Sequence, residues 1–202
     1  KSNMEALDAT VKVGTEYENW REKDFINPFI TGSLAIHFNT YKLKNFALER
    51  LPKIWGDKFK IIECQVNGIS NRNNKAVVDT SHGEEEFEFV MDCRGFPKEY
   101  HDYHVIEDAP LNHCLVHNCD AEILNTTKHV ATKDGWMFVV PLQSRKSCGY
   151  LFNNQITSVE EAKKNFSDLI GIEQDKMDKI EFKFKSYYTN RILNGRIIRN
   201  GN

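Results

Sequence analysis

Gly135-Trp136-Met137-Phe138-Val139-Val140-Pro141-Leu142 is the stretch on which the reading of this chain turns. An aromatic, one residue, a second aromatic, two aliphatics and a proline describe a strand that stops abruptly. Alternate side chains along a strand share a face, so Trp136 and Phe138 can line one wall of a pocket. Alternating aromatics on a strand also pack against a core by default, and a pocket wall is itself packed from behind.

Working outward, strands are expected at about 114–117, 128–132, 136–140 and 147–152. Ser158-Val159-Glu160-Glu161 is a capping box that opens a helix running to about Ile170. Ile180 to Tyr188 alternates as a last strand. Upstream, Thr40 is expected to cap a helix from Tyr41 to Leu51, with Leu43, Phe46, Ala47 and Leu51 on one stripe and Pro52 beyond its end. Three strands, Phe59 to Val66, Lys75 to Thr80 and Glu86 to Met91, form an antiparallel meander with turn chemistry at Asn67-Gly68, Asn71 to Asn74 and Ser81 to Gly83. The third carries Phe87, Phe89 and Met91 on one face. Val11 to Trp20 has strand character, Asn27-Pro28 marks a break, and 96–112 reads as a loop. The class is α+β, strand-rich, with mixed or antiparallel sheets and few helices.

The 202 residues are 40% apolar and 28% charged, which is ordinary for a folded soluble protein. A net charge of −2 gives no electrostatic case for nucleic acid or an anionic membrane as partner. No apolar run is long enough to span a bilayer, and a cytoplasmic location with reduced thiols is the default expectation. His113-x-x-x-His117 with Cys114 and Cys119 nearby suggests zinc, yet on a strand those histidines lie about 13 Å apart, so no metal site is assigned. Cys93 has no base at hand and reads as structural.

Two segments carry a family resemblance. Trp136 to Pro141 resembles the Trp-x-Trp-x-Ile-Pro signature of the flavin-dependent halogenases, with Phe138 replacing the second tryptophan. Asp8-Ala9-Thr10-Val11-Lys12-Val13-Gly14, followed by Glu18-Asn19-Trp20, resembles the segment bearing that family's essential lysine. Phe89 to Phe96, with Asp92-Cys93-Arg94-Gly95, resembles the turn that closes the meander of its FAD-binding lobe. The resemblance implies a flavoprotein of the FAD-dependent monooxygenase-like class, with residues 40–98 belonging to the FAD lobe and 1–39 and 99–190 to a substrate-side sheet lobe. It also implies a reaction in which flavin hydroperoxide and halide give hypohalous acid, guided by Lys12 to an electron-rich ring such as an indole. Asp92, Gly95, Trp136, Phe138 and Pro141 would border the FAD, and a separate flavin reductase would supply electrons.

The sequence contains no G-x-G pair, the glycine pattern that lets a backbone approach a pyrophosphate. The expectation is therefore a central fragment, 1–202, that does not bind FAD by itself. A related aromatic monooxygenase without halide chemistry, and a binding domain without catalysis, are the alternatives.

Overall fold

The computed structural model describes residues 3–12, 14–19, 25–29, 35–97, 99–122, 124 and 126–200, with side chains described from 5–10 and from 36 onward within those ranges. In chain order the elements are α1 (Asn3–Ala6), β1 (Thr10–Lys12), β2 (Gly14–Asn19), β3 (Phe25–Phe29), β4 (Ala35–His37) and α2 (Thr40–Trp55). Next come β5 (Val66–Arg72), β6 (Lys75–Thr80), β7 (Gly83–Phe87), β8 (Val90–Asp92), β9 (Tyr103–Val105) and β10 (His113–Asp120). The remainder is β11 (Thr126–Ala131), β12 (Gly135–Pro141), β13 (Arg145–Phe152), α3 (Val159–Ile170), β14 (Ile180–Lys183), β15 (Tyr187–Thr189), β16 (Leu193–Asn194) and β17 (Ile197–Arg199). The strand-rich α+β class is as read from the sequence. The chain divides into two units: Lys1–Asp57 with Asp108–Phe184, and Lys58–Glu107 with Lys185–Asn202.

In the first unit, a seven-stranded sheet among the described residues runs β14-β10-β13-β12-β11-β2-β3. The β11–β2 pair is parallel and the others are antiparallel. One face is a packed core of Leu115, Val130, Met137, Val139, Cys148, Tyr150 and Phe152, covered by Ala162 and Phe166 of α3. The four-residue spacing of Ala162, Phe166 and Ile170 aims one stripe of that helix at the sheet.

The end signals of α3 lie in the sequence as expected. Ser158 Oγ accepts from the Glu161 amide at 3.1 Å, and Gly171 closes the helix in the left-handed conformation at φ 70°. The reciprocal half of the capping box is absent, because the Glu161 carboxylate pairs instead with Lys133 at 2.8 Å.

Other boundaries differ from the sequence reading, each for a local reason. Asn39, not Thr40, caps α2, since its side-chain oxygen accepts from the amides of both Tyr41 and Lys42. The helix runs on through Pro52 to Trp55 because the carbonyl of Pro52 is taken by the Gly56 amide. Pro28 lies inside β3, an outermost strand of the sheet as described, where a missing donor is tolerated.

In the second unit β5, β6 and β7 do form an antiparallel meander, and β6 has the expected bounds, whereas the first and third strands begin and end elsewhere. The turn that fixes its register is Asn73-Asn74, with φ of 50° and 62°, and Gly68 sits within β5 beside a bulge. Residues 59–65 form no strand. Phe87 ends β7, and β8 leaves to pair in parallel with β17, so Phe87, Phe89 and Met91 do not share one strand face. The expected last strand is likewise two: β14 in the large sheet, and β15 paired with β9 inside the expected loop.

Ser158→Ala removes the α3 cap and is expected to cost about 1 kcal/mol, read as a lower denaturant midpoint with unchanged slope. An unshifted midpoint would mean that the amide of Glu161 has another partner.

Candidate functional site

The pleat of β12 separates its residues by task. Met137, Val139 and Pro141 are buried on the core side, whereas Trp136, Phe138 and Val140 stand half-buried on the opposite side. Trp136 and Phe138 therefore do share one face, with ring centroids 6.0 Å apart. His129, opposite Phe138 on β11, extends the aromatic row, its ring 5.1 Å from that of Trp136. Burial holds the His129 imidazole below its ordinary value, which keeps a neutral ring beside the tryptophan.

Phe138 lies across Gly149, its register partner on β13. A β-carbon on Gly149 would come within 2.0 Å of the ring, so only glycine lets the phenylalanine lie down at that point. Gly135 is constrained too, since its β-carbon would meet the Leu151 carbonyl oxygen at 2.1 Å.

The Lys12 segment is tied to this strand by polar contacts. The Thr10 hydroxyl donates to the Pro141 carbonyl at 2.7 Å, and the Gln143 amide to the Ala9 carbonyl at 2.7 Å. Asp8, buried and at a positive φ of 54°, accepts from the Ser144 amide at 2.8 Å and hydroxyl at 2.5 Å. Lys12 itself lies in β1, opposite Ala35 of β4, and its side chain is outside the described residues, as is Trp20. Sequence reasoning singled out this segment for its lysine and missed the Asp8 clamp. The signal available was an aspartate next to small residues, which is too common to single out.

Asp92 and Gly95 belong to the second unit. They line a cleft of about 730 Å³ together with Arg94, Phe96, Tyr103 and Arg199. Gly95 takes a positive φ of 79°, which turns the chain after β8. Arg94 grips Asp92 with two nitrogens at 2.8 and 2.9 Å, and Arg199 reaches Asp102 at 2.7 Å while lying over the Tyr103 ring. Tyr100, Tyr103 and Tyr187 meet edge to face, joining the expected loop at 96–112 to the end of the expected last strand.

FAD makes two demands on such a site. Its planar and ribose portions suit a turn with a left-handed glycine and rings nearby. Its pyrophosphate needs free amides at a helix N-terminus, and the second unit has no α-helix among its described residues. The guanidiniums at hand are already paired with carboxylates. These residues fit an edge of the cofactor and not its phosphate cradle.

His113 and His117 lie on one strand with separate partners: His113 pairs with the Glu181 carboxylate at 2.8 Å, and His117 Nδ1 accepts from the Asp178 backbone amide at 3.0 Å. Among the described residues no group of three metal-ligating side chains is placed to hold an ion. No described helix is long and apolar enough to cross a membrane.

This fold and this aromatic strand define a class. The chain belongs to the tryptophan halogenase family, whose model matches residues 33–202 and so includes β12 but not Lys12. No curated protein sequence matches. Among solved structures, a tryptophan halogenase from Shewanella frigidimarina NCIMB 400 superposes with a TM-score of 0.80 at 16% identity, over 97% of this chain and 51% of that one. The tryptophan 6-halogenase SttH from Streptomyces toxytricini gives 0.75 at 16% identity over 98% and 53%, and BrvH, a flavin-dependent halogenase from Brevundimonas sp. BAL3, gives 0.73 at 13% over 97% and 54%. The chain spans about half the length of these structures, and at such identities the likeness speaks for the fold.

Two outcomes follow from the site's construction. Gly149→Ala is expected to cost about 1–3 kcal/mol by overpacking against Phe138, measured by denaturant unfolding. Adding Phe138→Ala should recover part of that loss if the ring is the obstacle, and no recovery would point to the backbone instead. The second outcome concerns pH. Hydrogen bonds from the Arg94 side chain hold the Asp92 carboxyl below its ordinary value, against the opposing pull of burial. A carboxyl depressed by folding contributes stability that is complete above its unfolded value of about 3.9 and is lost as pH falls through the folded value. Asp92→Asn should flatten the acid limb of the stability profile, and an unchanged limb would assign it to other carboxylates.

Proposed function

We propose that this chain serves a flavin-dependent halogenation of an electron-rich aromatic ring, such as the indole of tryptophan. The observation that carries the proposal is the strand-bound pair Trp136 and Phe138, held off the packed core and joined through Pro141 to the Lys12 segment. Family membership agrees with it. Side by side on one strand face, the two rings can form a single wall against a flat substrate and keep water from it.

Reduced FAD, when bound, supplies with oxygen and halide an electrophilic halogen species. Trp136, Phe138 and Pro141 would wall the cofactor from the substrate. Lys12 would donate a hydrogen bond to the oxidant and direct it at the ring, a role suited to an ammonium whose pKa falls readily on burial. Halide, a small aromatic substrate and a separate flavin reductase are the partners this chemistry requires. Direct oxygen transfer to the ring is the second reading, favoured by Phe138, because the halogenase signature has tryptophan there.

The test is to supply the protein in its full length with reduced FAD, oxygen, bromide and an indole, and to weigh the product. Brominated product is expected, and a hydroxylated one would favour the second reading. Lys12→Ala should lower halogenated product by about two to three orders of magnitude while flavin oxidation continues. Near-normal product from that variant would reduce Lys12 to a structural residue.

A further inference from the structure

The covered face of the large sheet also holds two thiols in contact. Cys119 of β10 and Cys148 of β13 bring their sulfurs to 3.9 Å. They are diagonal neighbours, since Cys119 stands opposite Lys146 and His117 opposite Cys148. Both are free thiols. Cys148 is 2% exposed, and Cys119 is half-buried. A hollow of about 200 Å³ borders Cys148 between Leu124, Lys128, Lys146 and Leu169, so this side of the pair is not sealed, and Cys119 is reached through its own partial exposure.

We propose that Cys119 and Cys148 are a reversible disulfide site, closed by a small two-electron oxidant of the peroxide or hypohalous class. The sulfurs must approach from 3.9 Å to about 2.0 Å, and because the two residues are diagonal neighbours the backbones of β10 and β13 must draw together as the bond closes. Cys119, the more accessible, attacks the peroxide oxygen. The O–O bond breaks, hydroxide leaves and takes up a proton as water, and Cys119 becomes a sulfenic acid. The Cys148 sulfur then attacks that sulfur. The S–S bond forms, the S–O bond breaks, and the hydroxyl leaves with the Cys148 proton as a second water. Two thiols have lost two electrons and two protons, and one peroxide has become two waters. With hypohalous acid the first product is a sulfenyl halide and water, and Cys148 displaces halide with release of a proton.

Burial pushes the Cys148 thiol up to about 12, so it does not open the sequence and must give up its proton to the departing hydroxyl as it attacks the sulfenic sulfur. Lys146, paired with Glu122, brings an ammonium to the same face and steadies negative charge on the exchanging sulfurs.

The proposal rests on the halogenation reading only for the natural source of oxidant, and the assay supplies its own. Folded chain is exposed to hydrogen peroxide, and in parallel to hypobromous acid, then alkylated under denaturing conditions and mapped by mass spectrometry without reduction. The expected result is a peptide pair joining Cys119 to Cys148, which reduction separates into two free thiols. In Cys148→Ser, Cys119 should become labelled by dimedone, the trap for a sulfenic acid. Free Cys119 and Cys148 after exposed Cys93 has been oxidised would overturn the proposal, as would a Cys148→Ser chain whose Cys119 takes no dimedone. Failure here with halogenated product still formed leaves the functional reading standing, and the reverse outcome leaves the thiol pair standing.

Discussion

The register between β12 and β13 is the constraint on which the rest of the first unit depends. Met137 and Val139 are committed to the core beneath α3, and the pleat then places Trp136 and Phe138 on the other side. A slip of one residue would bring the aromatics inward and expose the aliphatics. Two glycines make such a slip costly. Gly149 is where the Phe138 ring lies, and Gly135 is where the Leu151 carbonyl comes within reach of a missing β-carbon. In any shifted register those close approaches would meet side chains. The small residues therefore pin the strand pair as firmly as the large ones fill it.

The two units solve the problem of cohesion differently. The first has Tyr150, Phe152 and Phe166 fully buried together, and a helix that seals the sheet. Its chain ends are secured by a few directional bonds, with Asp8 clamping Ser144 and Thr10 meeting Pro141. The second has few buried apolar side chains, Ala76, Val77 and Ile197 among them. It relies on β8–β17 pairing, on the Asp92–Arg94 grip and on tyrosines meeting edge to face. A cleft built from paired charges and rings suits recognition better than it suits stability, since exposed ion pairs contribute little net free energy.

What could be read from the sequence follows the range of the interactions. The strands 136–140 and 147–152 and the Ser158 cap were legible because alternation and capping are local. The parting of β7 from β8 was not, because Val90 to Asp92 take their strand form from pairing with Ile197 to Arg199, more than a hundred residues away. Tyr103 to Val105 looked like loop for the same reason, their partner being Tyr187 to Thr189. At the site, sharing of a face by Trp136 and Phe138 was legible from spacing alone. The ties that hold the Lys12 segment were not, since Asp8, Gln143 and Ser144 are ordinary until the fold joins them. His129 escaped notice because only the β11–β12 pairing sets it beside Trp136.

The electrophilic oxidant of the proposed reaction would also meet the protein's own soft nucleophiles. The first unit places three cysteines in one sheet, and their treatment differs. Cys114 lies in the cross-strand row that runs from Trp136 through Leu151, on the face that carries the aromatic pair. Burial pushes its thiol up to about 11, so near neutral pH it stays protonated and is a poor nucleophile. Cys148 is protected in the same manner on the opposite face. Cys119 has less cover, and it is the one that has a second sulfur in contact, so that its oxidation can end in a bond that reduction reverses and not in an irreversible acid. Burial on the aromatic side and pairing on the core side are two answers to a single chemical hazard, and both follow from the alternation that put the aromatic wall where it is.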